Sequence, residues 1–143
     1  MLQADLEAGL PFGADFDVVF VDAPCSGLGV IRRDPEIRWR RRESDLPALA
    51  AAQLTMLRNA AAAVRPNGRL VYSTCSSEPE ECDGVVESFL REDDRFRAID
   101  LRVDRPAHFS AVEPVLDEHG YLRTRPDLHG LEAFFGASMR RVK

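Results

Sequence analysis

Two cysteines stand directly after two short apolar runs, each in company that suits chemistry. Phe16 to Gly29 reads FDVVFVDAPCSGLG, so Val18-Val19-Phe20-Val21 leads straight into Asp22, Pro24 and Cys25. Leu70-Val71-Tyr72 leads in the same way into Ser73-Thr74-Cys75-Ser76. A thiolate is a soft, strong nucleophile and a good leaving group, so either cysteine could carry a covalent step. A cysteine hydrolase would also want a histidine base beside the thiol. His108, His119 and His129 all fall between Arg102 and Gly130, away from both runs and at no ligand-like spacing. The plainer alternative is that Cys25 is a buried residue in an ordinary turn. The same ending on a second run argues for a site.

These residues need elements to position them. An unbroken, β-branched apolar run bounded by turn residues is the pattern of a strand buried on both faces of a parallel sheet. Ligand sites in open α/β sheets lie past the carboxyl ends of such strands. Leu46, Leu49, Ala50, Leu57, Ala60 and Val64 recur at helical spacing, which predicts an amphipathic helix over 46–64 that needs no role beyond covering the sheet. Ser44 or Asp45 can cap it, and Pro47 is tolerated in its first turn. Pro66-Asn67-Gly68 then reads as a turn. Strand, helix, strand implies parallel neighbours or near neighbours, with both thiols along one carboxyl edge.

Ser77 and Glu80 fit a capping box for a second helix from about Glu78, with Val85, Val86, Phe89 and Leu90 on its buried side. That places Cys75 just before a helix N-terminus, where a thiolate is favoured. Cys82, inside the same helix, reads as a small buried hydrophobe. Phe96 to Leu101 is an expected strand, Arg102 to Gly130 a long polar excursion with Pro106, Pro114 and Pro126, and Ala133 to Met139 another strand. The last two strands fit an antiparallel pair on an otherwise parallel sheet.

With 143 residues, 45% hydrophobic and 30% charged, the chain suits one soluble domain. Its net charge of −5 excludes a globally basic nucleic-acid binder. One patch departs from that balance: Arg32, Arg33, Arg38, Arg40, Arg41 and Arg42, with Trp39 among them, directly follow the Cys25 motif. Arginines with an aromatic suit phosphate backbones and stacked bases. A solvated surface with Trp39 packed on the core is the alternative. Three cysteines at no zinc-type spacing predict no structural metal and no disulfide framework, and favour a reducing cytoplasmic setting. No apolar run is long enough to cross a bilayer, and the acidic start is no signal peptide.

DAPCSGLGVIRRDPEIRW followed by PNGRLVYSTCS resembles the Sun (Fmu) type of RNA cytosine-5 methyltransferase, a bacterial ribosomal RNA family related to the eukaryotic nucleolar enzymes. The similarity runs from about Phe16 to Glu81, and RPDLHGLEAFFGASMRR resembles the family's closing strand. Glu132-Ala133 stand where the family has Asp-Gly. The resemblance implies a Rossmann-like α/β fold and S-adenosyl-L-methionine as methyl donor. It also implies an RNA substrate, met as a 5-methylcytosine site in ribosomal RNA. It makes Cys75 the nucleophile that adds to carbon 6 of cytosine, and Cys25 the thiol that assists elimination and product release. Asp22 would sit at the cofactor's methionine part and the target base, Pro24 would shape the turn and direct its backbone at the base, and Asp5 would lie near the adenine. DNA cytosine methylation shares this chemistry, but its nucleophile follows a proline, as Cys25 does; STCS favours RNA.

No Gly-rich strand-to-helix turn of the kind that cradles such a cofactor occurs in the chain. Residues 1–143 are therefore expected to be the C-terminal part of a methyltransferase catalytic domain, without the first strands of its sheet. Such a piece would expose sheet surface and tend to self-associate. The rival expectation is a non-catalytic RNA-binding fragment that keeps the fold but lacks a complete cofactor site.

Overall fold

A computed structural model of the chain describes residues 3–104 and 107–143, with the side chains of 107–110 left out of the description. Pro106 and the side chain of His108 thus lie outside the described residues. Strand β1 (Phe16–Asp22) is followed by a short helix α1 (Ile37–Arg40), a 3-10 turn at Glu43–Asp45 and the long helix α2 (Leu46–Ala63). Strand β2 (Val64–Thr74), a 3-10 turn at Pro79–Glu81, helix α3 (Asp83–Glu92) and strand β3 (Phe96–Ala98) come next. A 3-10 stretch at Ala107–Val115, strand β4 (Leu122–Arg123), helix α4 (Pro126–His129) and strand β5 (Phe135–Arg141) complete the order.

The sheet runs β1-β2-β5-β3, with β4 also on β5. β1 and β2 are parallel, from Val18↔Arg69 to Asp22↔Ser73, so both apolar runs end on one edge as their spacing predicts. The expected late antiparallel pair is β3 with β5, and β5 also runs antiparallel to β2. β3 is shorter than expected, because pairing beyond Ala98 reduces to Ile99 N donating to Ser138 O at 2.8 Å. Within the long excursion, Arg123 donates to Asp83 at 2.7 Å and to Asp117 at 3.1 Å, with its guanidinium 4.9 Å above the Phe135 ring. That junction brings the segment back onto the sheet.

β1 does not have the burial its composition predicts. Val21 is buried, but Val18 is 55% and Phe20 61% exposed. Among the described residues the strand is an edge paired with β2, and Val18 and Phe20 stay exposed on its outer face while Phe12 packs on Phe16. The core lies on the far side of the sheet, where Leu57 and Ala60 of α2 and Val85, Val86 and Phe89 of α3 meet Leu70, Tyr72, Phe135 and Met139. Leu90 packs against it from the partly buried rim.

Three local expectations need correcting. Pro66-Asn67-Gly68 is not a separate turn after the helix. α2 stops at Ala63, and the tripeptide is a bulge inside β2, where pairing jumps from Phe16↔Val64 to Val18↔Arg69. Asn67 takes a left-handed φ of 66°, and a Cβ on Gly68 would meet Arg65 O at 2.8 Å. Asp45 does occupy the N-cap of α2, yet its carboxylate accepts Arg42 N at 3.0 Å and closes the preceding turn instead. The Ser77–Glu80 box does not form: Ser76 Oγ accepts Glu78 N at 3.1 Å, while Ser77 donates to the Glu78 carboxylate. The helix proper begins only at Asp83.

Candidate functional site

The carboxyl edge of β1 and β2 carries the site. Ser73 Oγ donates to Asp22 Oδ1 at 2.9 Å and Ala23 N to Ser73 O at 2.9 Å, so the two strand ends are stitched before either loop begins. The loops are then held against each other. Gly29 N donates to Cys75 O at 3.0 Å, and Ala133 N to Gly29 O at 3.0 Å. A Cβ on Gly29 would come within 2.1 Å of Ala133 O and 2.8 Å of Cys75 O, so only glycine fits where the three segments meet.

The result is a thiol pair: Cys25 Sγ and Cys75 Sγ lie 2.9 Å apart, both half-buried. Burial first, and then the hydrogen bond to Cys75, push the Cys25 thiol up to about 12. Cys25 therefore keeps its proton at neutral pH, and either sulfur can be the donor across the pair. Asp22 is exposed at the strand end beside them. Pro24 is exposed too, but its carbonyl accepts Gln53 Nε2 at 3.0 Å and so faces the interior.

Asp5 is not brought to this cluster by any described contact. Its carboxylate closes its own turn by accepting Glu7 N at 2.9 Å, and Asn59 ties that segment to α2 through Leu6 O at 2.8 Å. Cys82 is buried as expected, but it sits at the break between the 3-10 turn and α3 rather than inside a helix. Burial pushes its thiol up to about 11. Because α3 starts beyond Cys82, no α-helix terminus follows directly on Cys75. His119 and His129 lie elsewhere. The first is exposed, and the second accepts Arg125 N at its Nδ1 at 2.9 Å; among the described residues neither thiol has a histidine partner.

The arginine cluster is on the surface beside the Cys25 loop. Arg41 Nε donates to Ser26 O at 3.3 Å, Arg33 faces Glu132 at 3.7 Å, and Arg40 pairs with Glu36 one turn back. Arg32, Arg38 and Arg42 are exposed, and Trp39 is 83% exposed, so it is not packed on the core. An open cavity of about 400 Å³ between cluster and loop is lined by Ser26, Arg38, Arg41, Arg42 and Glu78. Among the described residues no group of three or more metal-binding side chains converges, and no helix is long and apolar enough to cross a membrane.

Sequence reasoning missed the polar group beneath the thiols. Glu81, Gln53, Tyr72, Ser26 and Ser76 are all buried and linked to one another. Gln53 gives α2 a second task besides covering the sheet. The available signal was a glutamine on the apolar face of that helix.

The family model for the 16S rRNA methyltransferase RsmB/F matches residues 2–140. A Mycobacterium tuberculosis protein named as a methyltransferase is 42% identical over 140 residues, which cover 98% of this chain and 28% of that protein. Ribosomal RNA small subunit methyltransferase B of Pasteurella multocida is 40% identical over 127 residues, 89% of this chain and 26% of the relative. The crystal structure of NSun6 from Pyrococcus horikoshii with SFG superposes with a TM-score of 0.78 at 28% identity, covering 99% of this chain and 34% of that one. The chain thus spans between a quarter and about a third of the length of these relatives.

Proposed function

The chain belongs to the 16S rRNA methyltransferase RsmB/F family, with a Rossmann-like fold, and from that membership we propose that it is the thiol-bearing C-terminal part of a domain that methylates carbon 5 of a cytosine in RNA. The observation that carries this reading is the Cys25–Cys75 pair, 2.9 Å apart at the shared strand edge. Carbon 5 of cytosine is a poor nucleophile until something adds to carbon 6. Cys75 Sγ forms that bond, with Cys25 holding its own proton alongside. After methylation solvent takes the proton from carbon 5, the C–H pair restores the double bond to carbon 6, and Cys75 Sγ leaves carbon 6 as a thiolate. The Cys25 S–H then stabilises the departing thiolate.

Asp22, exposed where β1 ends, fits both the cofactor's methionine part and the ring nitrogen of the target base. S-adenosyl-L-methionine supplies the methyl group when bound; its use is supported by the P. horikoshii relative, solved with the analogue SFG. Asp22 and Asp5 would hold one side of it, and Pro24 would shape the adjoining turn. The remainder of that pocket has no candidate in this chain. Arg32, Arg33, Arg38, Arg40, Arg41 and Arg42 would follow the RNA backbone, with Trp39 free to stack on a base. Ribosomal RNA is the substrate that the relatives' names support, and the cytoplasm is the setting we propose with it.

Trapping the covalent bond tests this reading. With the upstream half of the domain, RNA and cofactor supplied, the Cys25→Ala variant should accumulate a protein–RNA adduct that survives denaturing electrophoresis and maps to Cys75. An adduct at another residue, or full turnover without one, would overturn it.

A further inference from the structure

Glu81 is the least expected residue of the molecule. It stands at the end of the 3-10 turn Pro79–Glu81 and is 0% exposed. Burying a carboxyl group carries a desolvation penalty that an apolar side chain of similar size would avoid, so packing alone does not account for it. Four donors converge on its two oxygens, the full acceptor capacity of a carboxylate. Ser26 N reaches Oε1 at 2.8 Å and Gln53 Nε2 the same oxygen at 2.9 Å. Ser26 Oγ reaches Oε2 at 2.6 Å and Ser76 Oγ that oxygen at 2.7 Å. The Tyr72 hydroxyl holds the Glu81 carbonyl at 2.7 Å and lies 3.1 Å from Gln53 Oε1, which fixes the backbone under the carboxyl group.

The two serines decide what this does. Ser26 follows Cys25 and Ser76 follows Cys75, so one side chain holds the immediate neighbour of each thiol. Among the described contacts Glu81 makes no hydrogen bond to either sulfur. We propose that Glu81 is the positioning residue of the thiol pair: it binds the two cysteine-bearing loops to one point and thereby sets the Cys25–Cys75 separation. This rests on the reading of the two cysteines as the reacting pair, and it adds a residue outside the reacting atoms on which their geometry depends. Gln53 connects that point to α2, and its second bond, to Pro24 O at 3.0 Å, holds the Cys25 loop from the other side.

The spacing can be measured on this chain without RNA or cofactor. Phenylarsine oxide condenses with two adjacent thiols, forming two As–S bonds and releasing one water. It should bind once across Cys25 and Cys75, and Cys25→Ser should abolish that binding. Glu81→Gln keeps the size but replaces an acceptor oxygen by a donor. With melting confirming a folded chain, it should weaken the arsenical by about 10²-fold, the loss of two-point attachment. It should also relieve the burial and the hydrogen bond that hold the Cys25 proton. Alkylation of Cys25 at about pH 9, mapped by mass spectrometry, should then rise about tenfold for each unit by which its pKa drops.

Ser76→Ala removes one donor and carries the test if Glu81→Gln does not fold; it should move both readouts in the same directions. Unchanged arsenical affinity and an unchanged alkylation profile in the folded variant would overturn the proposal. The methyl-transfer reading fails separately, if Cys75→Ala retains turnover, and that result leaves the spacing measurement untouched.

Discussion

At the scale of single residues, the two sulfurs have different assignments and so different expected variants. Cys75→Ala in the intact domain should abolish methyl transfer while leaving RNA binding largely unchanged, measured by methyl incorporation beside a binding titration. Cys82→Ala should be nearly silent for chemistry, at about 1 kcal/mol of lost packing in a melt. The raised thiols also make a stability prediction. Cys25 and Cys82 shed protons near 9 when unfolded but near about 12 and about 11 when folded. Between those values the unfolded chain binds fewer protons, so stability falls as pH rises above about 9 and is whole below it. Melting between about pH 8 and 11 should show that decline, and Cys25→Ser should flatten it. The placement of Cys25, Cys75 and Asp22 at one sheet edge was legible in the sequence because a motif at a strand end is a local pattern. Glu81 was not legible, because its partners at Ser26, Gln53 and Ser76 are neighbours only in the fold.

At the scale of elements, α2 was legible almost to the residue, since eighteen positions of helical periodicity outweigh any local ambiguity. Its work at the site was hidden in Gln53, a polar residue on the buried face. Gln53→Ala should leave Pro24 O and Glu81 short of partners, destabilising the fold by about 1–3 kcal/mol per unmet buried group in denaturant melts. The short segments were less legible. β3 lost residues to the following turn, β4 is two residues long and owes its existence to β5, and the helix after Cys75 starts late because the chain first makes the 3-10 turn Pro79–Glu81. The arginine segment around α1 makes its own prediction. Replacing Arg40, Arg41 and Arg42 together should weaken RNA binding and reduce its salt slope by roughly one unit per lost phosphate contact. An unchanged slope would leave the patch as solvated surface.

At the scale of the whole molecule, the sheet is uncovered on one side of β1. Phe12 and Phe16 stack edge to face at 5.3 Å beside the exposed Val18 and Phe20, and all four side chains keep a large exposed surface. Strand-rich composition could suggest a buried β1, but it cannot reveal which neighbours are present to bury it. Expressed by itself, the chain is expected to self-associate in sedimentation and to bind S-adenosyl-L-methionine negligibly in calorimetry. Both should reverse when the upstream half of the domain is added, and micromolar cofactor binding by the lone chain would show its pocket to be complete. The place of β5 has a further consequence, for the order in which the chain assembles. Among the described residues β3 joins the sheet through β5 alone, and β2 finds its second partner there, through pairs such as Arg69↔Arg140. Such distant pairing is slow to form because the intervening chain must be ordered first. On the ribosome, β1, β2 and their helices can dock early, but the sheet stays in two parts until residues 135–141 have emerged to join them.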